Sequence, residues 1–174
     1  RILNHTIDNE HIANTKKCTE EVANLLGIKN VFHSDLNDEQ LDNLLIDVIV
    51  PIEKVIDDVN PNIVFVPNIT DTDQDHRSVA NACLVACRSI PSLFSYEIPG
   101  PSIDFQPNYY LDIEQYFELK IAAMEKYSDE WRTFPHPRSP EGLKIVAQYR
   151  GIQSGLNYAE AYKLIKHTEK SMHK

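Results

Sequence analysis

At 174 residues, 42% of them hydrophobic, the chain is long enough to bury one sizeable core, and its length predicts a single domain over residues 1–174. Lys and Arg number 17 against 26 Asp and Glu, a formal charge of −9, and no basic run is interleaved with aromatics, which argues against nucleic acid as a partner. No apolar stretch approaches the roughly 18 residues that a membrane span needs, so no membrane role is expected.

Cys18, Cys83 and Cys87 form no CxxC pair and read as reduced, buried thiols of a cytoplasmic protein. The chain opens on Arg1 in a polar segment without the pattern of a signal peptide, so a processed or partial start is expected. From Thr15 to Leu26, the residues Cys18, Val22, Leu25 and Leu26 fall at i, i+4, i+7 and i+8, one stripe of an amphipathic helix that Gly27 stops. Val31-Phe32 then reads as a strand. Between Asp38 and Val59 the apolar positions follow the 3.6 period closely, and Pro51 inside them predicts a kink or a split.

Asn60-Pro61 breaks that helix, and Ile63 to Val66 is a short continuous apolar run, the form of a strand buried on both faces of a parallel sheet. After the polar loop Pro67 to Asp75, a helix is predicted to about Arg88, and Leu93 to Glu97 alternates as a strand. Pro99 to Pro107 is a loop, Tyr109 to Leu111 a short edge strand, and Ile113, Phe117, Ile121 and Met124 the inner face of a further helix. Prolines 135, 137 and 140 enforce an extended crossing before two predicted helices, Glu141 to Tyr149 and Tyr158 to Lys166. Helices alternating with strands predict an α/β fold with a mostly parallel sheet flanked by helices. Were its N-terminal strands missing, a sheet edge would need cover, and a homo-oligomer is one expected means.

Ligands of open α/β sheets bind beyond the carboxyl ends of the strands, which directs attention to the loop after Val66. There Asp71, Asp73, Asp75 and His76 meet the start of a helix. Such a loop can hold a His ligand with a carboxylate to orient it. It can equally be a plain cap, with Asp75 capping the helix and His76 in solvent. A calcium loop through Asp71, Asp73 and Asp75 fails at position 6, which is His76, and at position 12, which is Ala82. One His and one Asp do not close a zinc site, which takes three protein ligands. The second dense cluster is Phe134 to Ser139, where His136 and Arg138 stand on a proline-stiffened segment, either a site wall or an ordinary connection. His5 and Asp8 are spaced like a ligand pair but have no strand before them and no second adjacent Asp.

Taken together, "PNIVFVPNITDTDQDHRSVANACLVACR", "LFSYEIP", "PNYYLDIEQYFELKIAAMEKY" and "FPHPRSPEGLKIVAQYRGIQSGLNYAEAYKLIK", preceded by "EEVANLLGIKNVF", resemble the LmbE/PIG-L family of zinc-dependent sugar de-N-acetylases. The resemblance implies a Rossmann-like three-layer fold and a hydrolase acting on an N-acetylated amino sugar or glycoconjugate, with Zn2+ or another divalent metal as cofactor. It implies that His76 is a metal ligand, that Asp75 supports it, and that Asp73 stands where many members carry a catalytic His. It further implies that His136, Arg138 and Arg77 contact the substrate. Here an ionised Asp73 would repel an oxyanion that a His or Asn could stabilise. The family's opening strand ends in His-Pro-Asp-Asp-Glu, which supplies two ligands and the general base. That motif does not occur in these 174 residues, so an N-terminally incomplete domain is expected. The alternative is an inactive relative that binds carbohydrate or a partner.

Overall fold

The computed structural model describes residues 9–37, 40–102 and 104–169. Helix α1 (Asn9–Leu26) ends at Gly27, whose φ of +71° lets the Gly27 amide donate to Asn24 O and the Ile28 amide to Ala23 O, closing two orphaned carbonyls. Helix α2 (Leu45–Val59) carries Pro51 in its interior yet remains one helix. Its apolar face, packed on α3, holds it together where a proline removes one backbone bond. It begins later than the periodicity suggests: residues 41–43 form a turn, and residues 38 and 39 lie outside the described residues. Asn60, at φ 49° and ψ 58°, ends it in the left-handed region with its amide on Ile56 O.

Strand β1 (Ile63–Val66), helix α3 (Gln74–Ala86) and strand β2 (Ser92–Tyr96) stand where the sequence predicts them, but β1 is not buried on both faces: Ile63 and Phe65 are exposed and only Val66 is fully buried. Next come β3 (Tyr109–Asp112), one 3-10 turn at Glu114–Tyr116, α4 (Phe117–Glu125), α5 (Pro140–Ser154) and β4 (Ala159–His167). The sheet order is β1-β2-β4-β3, with β1 parallel to β2, and β4 antiparallel to both β2 and β3. The class is therefore α/β with an open sheet flanked by helices. The sheet is mixed, however, and only the β1–β2 pair among the described strands is parallel.

Two expected elements differ. Tyr158 to Lys166, predicted helical, is mostly β4. Its Ala, Glu, Leu and Lys residues favour a helix locally, but pairing with β2 and β3 on both sides outweighs that preference, and Ala159 and Ala161 are buried with period two. Val31-Phe32 is not a strand: residues 28–37 have no regular structure, and Phe32 is exposed.

Val66, Cys83, Cys87, Ile90 and Leu93 form one core between β1, β2 and the helices α2 and α3. Val48, Ile49, Ala82 and Ala86 continue it between the two helices. A separate cluster of Ile113, Phe117 and Ala147 packs α4 on α5, with the Phe117 and Tyr158 rings stacked 4.7 Å apart. All three cysteines are free and buried. Among the described residues no helix is long and apolar enough to cross a membrane.

Candidate active site

Because β1 and β2 are parallel, the loops that follow them leave the sheet at the same end. The loop after β1 is built around Asp71, whose side chain is fully buried. Its Oδ1 accepts the Asp73 amide at 2.9 Å, and its Oδ2 accepts the Ser102 hydroxyl at 3.4 Å. The Arg77 guanidinium donates to Asp71 O at 2.7 Å, fastening the loop back on α3. His76, in the first turn of α3, places Nδ1 3.2 Å from Asp71 Oδ2. That approach suits an ion pair but lies off hydrogen-bond alignment, so the buried Nδ1 makes no hydrogen bond. The imidazole as a whole is about one-third exposed, at 35%.

The remaining carboxylates of the loop serve backbone donors. Asp73 is the N-cap of α3, accepting from the Asp75 amide at 2.9 Å and the His76 amide at 3.3 Å. Asp75 accepts the Leu41 amide at 3.2 Å. Consecutive helical residues diverge by about 100°, which turns Asp75 away from His76 and leaves Asp71 as the carboxylate facing the imidazole. Asp71, Asp73 and Asp75 thus do not converge as calcium ligands would.

Among the described residues no three His, Cys, Asp or Glu side chains are grouped to hold a metal ion. His76, with a carboxylate beside it, has the chemistry of a ligand, but a catalytic zinc takes three protein ligands. The described residues alone therefore do not make up a zinc site. His5 and Asp8 lie outside them.

In the second cluster, His136 Nδ1 accepts the Arg138 amide at 3.1 Å, which leaves the proton of a neutral imidazole on Nε2. Arg138 pairs its guanidinium with Glu130. It also lines a cleft of about 410 Å3, to which Glu97, Arg150 and Tyr96 contribute. Arg150 Nε and Nη2 donate to the two Glu97 oxygens at 2.8 and 2.6 Å, and both side chains are largely buried. That hydrogen-bonded pairing holds the guanidinium more firmly charged than usual. Burial, and after it the charges of Cys83 and Asp71, push the Tyr96 phenol up, so the Tyr96 ring lies within the field of the His76 loop while lining the cleft.

Segment 97–102 joins the two regions. Ser102 links Asp71 to the Ile98 amide, Thr72 donates to Pro101 O, and Gly100 packs so closely on Pro137 that a Cβ there would come within 2.9 Å of Pro137 Cγ. The structure thus gathers Asp73, Asp75, His76 and Arg77 at one loop, with His136 and Arg138 at another. Arg138 alone of these lines the cleft. Sequence places Asp71 among the loop carboxylates but assigns it no role beside His76, and it singles out neither Glu97 nor Arg150, a pair 53 residues apart that leaves no local signal.

These features define an α/β protein with a candidate ligand site at the carboxyl ends of its parallel strands. A family model described as GlcNAc-PI de-N-acetylase, PIG-L, matches residues 4–87. The "Uncharacterized deacetylase YaiS" of Escherichia coli (strain K12) is 32% identical over 109 residues, which is 59% of this chain and 59% of that protein. The match therefore spans about three-fifths of this curated relative. Among solved structures, the N,N'-diacetylchitobiose deacetylase from Pyrococcus horikoshii superposes with a TM-score of 0.74 at 21% identity, covering 88% of this chain and 63% of that one. GalB, the 4-carboxy-2-hydroxymuconate hydratase from Pseudomonas putida KT2440, gives 0.66 at 16% identity, covering 99% and 80%. The family model and the curated relative are the sequence likeness to the LmbE/PIG-L family, and the solved structures share the fold.

Proposed function

We propose that this chain belongs to a metal-dependent amide hydrolase that removes the N-acetyl group from an amino sugar or glycoconjugate in the cytoplasm, releasing acetate and a free amine. One observation carries the reading: an imidazole at the end of a parallel strand, on the first turn of a helix, with a buried carboxylate 3.2 Å from its Nδ1. A carboxylate beside one ring nitrogen is the partner that a metal-ligating His uses when its other nitrogen holds the ion. His76 would contribute one ligand to Zn2+ or another divalent ion, and the others would come from outside the described residues. When bound, such an ion polarises an amide carbonyl and acidifies water.

The roles of this chain's own residues follow from their contacts. Asp71 orients His76. Asp73 holds the helix start with two amides and, standing beside His76 in sequence, is available to the reacting group only if it leaves that cap. Asp75 and Arg77 brace the loop, through Leu41 and through Asp71 O. His136 and Arg138 flank Pro137, which packs on Gly100, and in this reading they face the substrate.

The test is metal content by elemental analysis together with acetate release from N-acetylglucosamine derivatives, on the full chain and on His76→Ala. About one metal per chain with acetate release, both lost in a folded His76→Ala, is the expected result. A folded protein that takes up no divalent metal and releases no acetate sinks the reading. The incomplete ligand set among the described residues favours one second reading, a carbohydrate-binding module without turnover.

A further inference from the structure

Helix α5 carries apolar residues on two sides. On the inner side Leu143 and Ala147 are buried where the helix packs on β4 and α4. The outer side holds Ile145, Tyr149 and Ile152, spaced i, i+4 and i+7 on one face and 53%, 53% and 80% exposed. A surface helix ordinarily shows water a polar face. One exposed isoleucine needs no explanation, but three apolar side chains in register over two turns make a contact stripe.

Tyr149, at the middle of the stripe, is held in place from within the chain. The Arg150 guanidinium stands over its ring, 5.1 Å from the centroid, and its hydroxyl accepts Gln153 Nε2 at 3.3 Å. Arg150 is fixed in turn by Glu97. A ring ordered before contact loses little entropy on docking, which is the property of an interface anchor.

Charge selects what covers the stripe. The chain's formal charge of −9 opposes an anionic membrane surface and draws basic partners. The outer side of α5, however, offers a basic partner one carboxylate, Glu141, and sets Lys144 three residues from it. Beyond Tyr149 the outer residues are Ile152 and Gln153, and residues 154–157 carry no charge. Two copies crossing antiparallel at Tyr149 therefore set the charged end of each helix on the uncharged end of the other. Ile145 of each copy then meets Ile152 of its partner, and no like charges oppose. Every contact is returned by its counterpart, as a two-fold interface requires.

We propose that the outer face of α5 is the contact between two copies of this chain, antiparallel across a two-fold axis, with Tyr149 at the axis and Ile145 and Ile152 as the flanking anchors. The assignment is independent of the amide-hydrolase reading. It also lies on a helix, away from the strand edge for which the sequence suggested an oligomer. Two helical turns bury less than the roughly 1,600 Å2 of a standard interface, so the association is expected to be micromolar and reversible.

The experiment is sedimentation velocity of the full chain from low to high micromolar concentration. Wild type is expected to pass from monomer to dimer as concentration rises. Ile145→Lys and Ile152→Glu, both at exposed positions, should keep the wild-type melting midpoint and each weaken the dimer about tenfold or more, because each buries an unpaired charge in the contact. Mixed in equal amounts, the two variants should associate again. The antiparallel crossing sets the introduced cation against the introduced carboxylate, and leaves Ile152 of the first variant against Ile145 of the second. Wild type that stays monomeric throughout, association undiminished in both variants, or a mixture that stays monomeric overturns the assignment. A monomeric wild type that sediments with phosphatidylcholine vesicles would overturn it in favour of a membrane as the occupant.

Discussion

Where β1 and β2 meet α2 and α3, the interior is aliphatic and thiol, and the polar groups of the adjoining loop are satisfied by backbone amides. Around β4 and α5 the partly buried polar groups are satisfied by one another, carboxylate to guanidinium and carboxylate to ammonium to phenol. Asp73 is thus held by local chain geometry, and Asp71 by the Asp73 amide together with the Ser102 hydroxyl 31 residues on. Glu97 and Arg150 are held by partners 53 residues apart, and neither can change alone. The first arrangement makes a rigid loop. The second makes a cleft wall whose charges are fixed before any ligand arrives.

The comparison is broken most directly at the paired side. Arg150→Ala strands a buried Glu97 and is expected to cost about 3–5 kcal/mol, read as a drop in denaturation midpoint. Arg150→Lys, which keeps the charge but loses the two-pronged contact, should cost less. On the aliphatic side, Leu93→Ala deletes a side chain that is 3% exposed and should cost about 2–5 kcal/mol by the same measurement. If Leu93→Ala cost more than Arg150→Ala, the ion pair would be the less essential of the two. Asp73→Ala removes the cap of α3 and should cost about 1 kcal/mol, whereas Asp73→Asn keeps an acceptor and should melt near wild type. Acetate release by Asp73→Asn then separates capping from chemistry: unchanged release confines Asp73 to the cap.

The smallest effect is on pH dependence. Burial, with Cys87 close by, pushes the Cys83 thiol up to about 12 from 9.0. A folded-state value above the unfolded one means the native chain binds the proton more tightly. Stability is therefore unaffected below about pH 9 and falls as pH rises from there toward 12. Cys83→Ala should flatten that alkaline slope in denaturation curves taken at successive pH values. In the native protein, iodoacetamide at pH 8 should leave Cys83 unmodified, because the thiolate is the nucleophile.

Legibility in the sequence follows the same division. The helices α1, α3 and α5 and the strands β1 and β2 announce themselves through period, caps and breakers, because their stability is local or lies in one apolar face. β4 does not, since its residues favour a helix and only its two neighbouring strands make it extended. Misreading it hid a part of the cleft as well: in a helix Glu160 and Tyr162 would point about 200° apart, while in a strand they stand side by side. The His76 loop was legible as a cluster, but which carboxylate faces the imidazole depends on the turn that Asp73 caps, and that is set by hydrogen bonds rather than by spacing.

Pro137 lies between two glycines. Gly100, at φ +100°, meets its ring from one side, and at Gly142 a Cβ would fall 2.7 Å from His136 O and 3.0 Å from Pro137 Cα. The backbone that displays His136 and Arg138 is consequently clamped by steric exclusion, while those two side chains are only half-buried. For protein engineering, under the proposed reading in which these two side chains face substrate, this amounts to an exchangeable reader on a fixed mount: positions 136 and 138 are the pair to randomise together for altered selectivity, with 100, 137 and 142 left untouched.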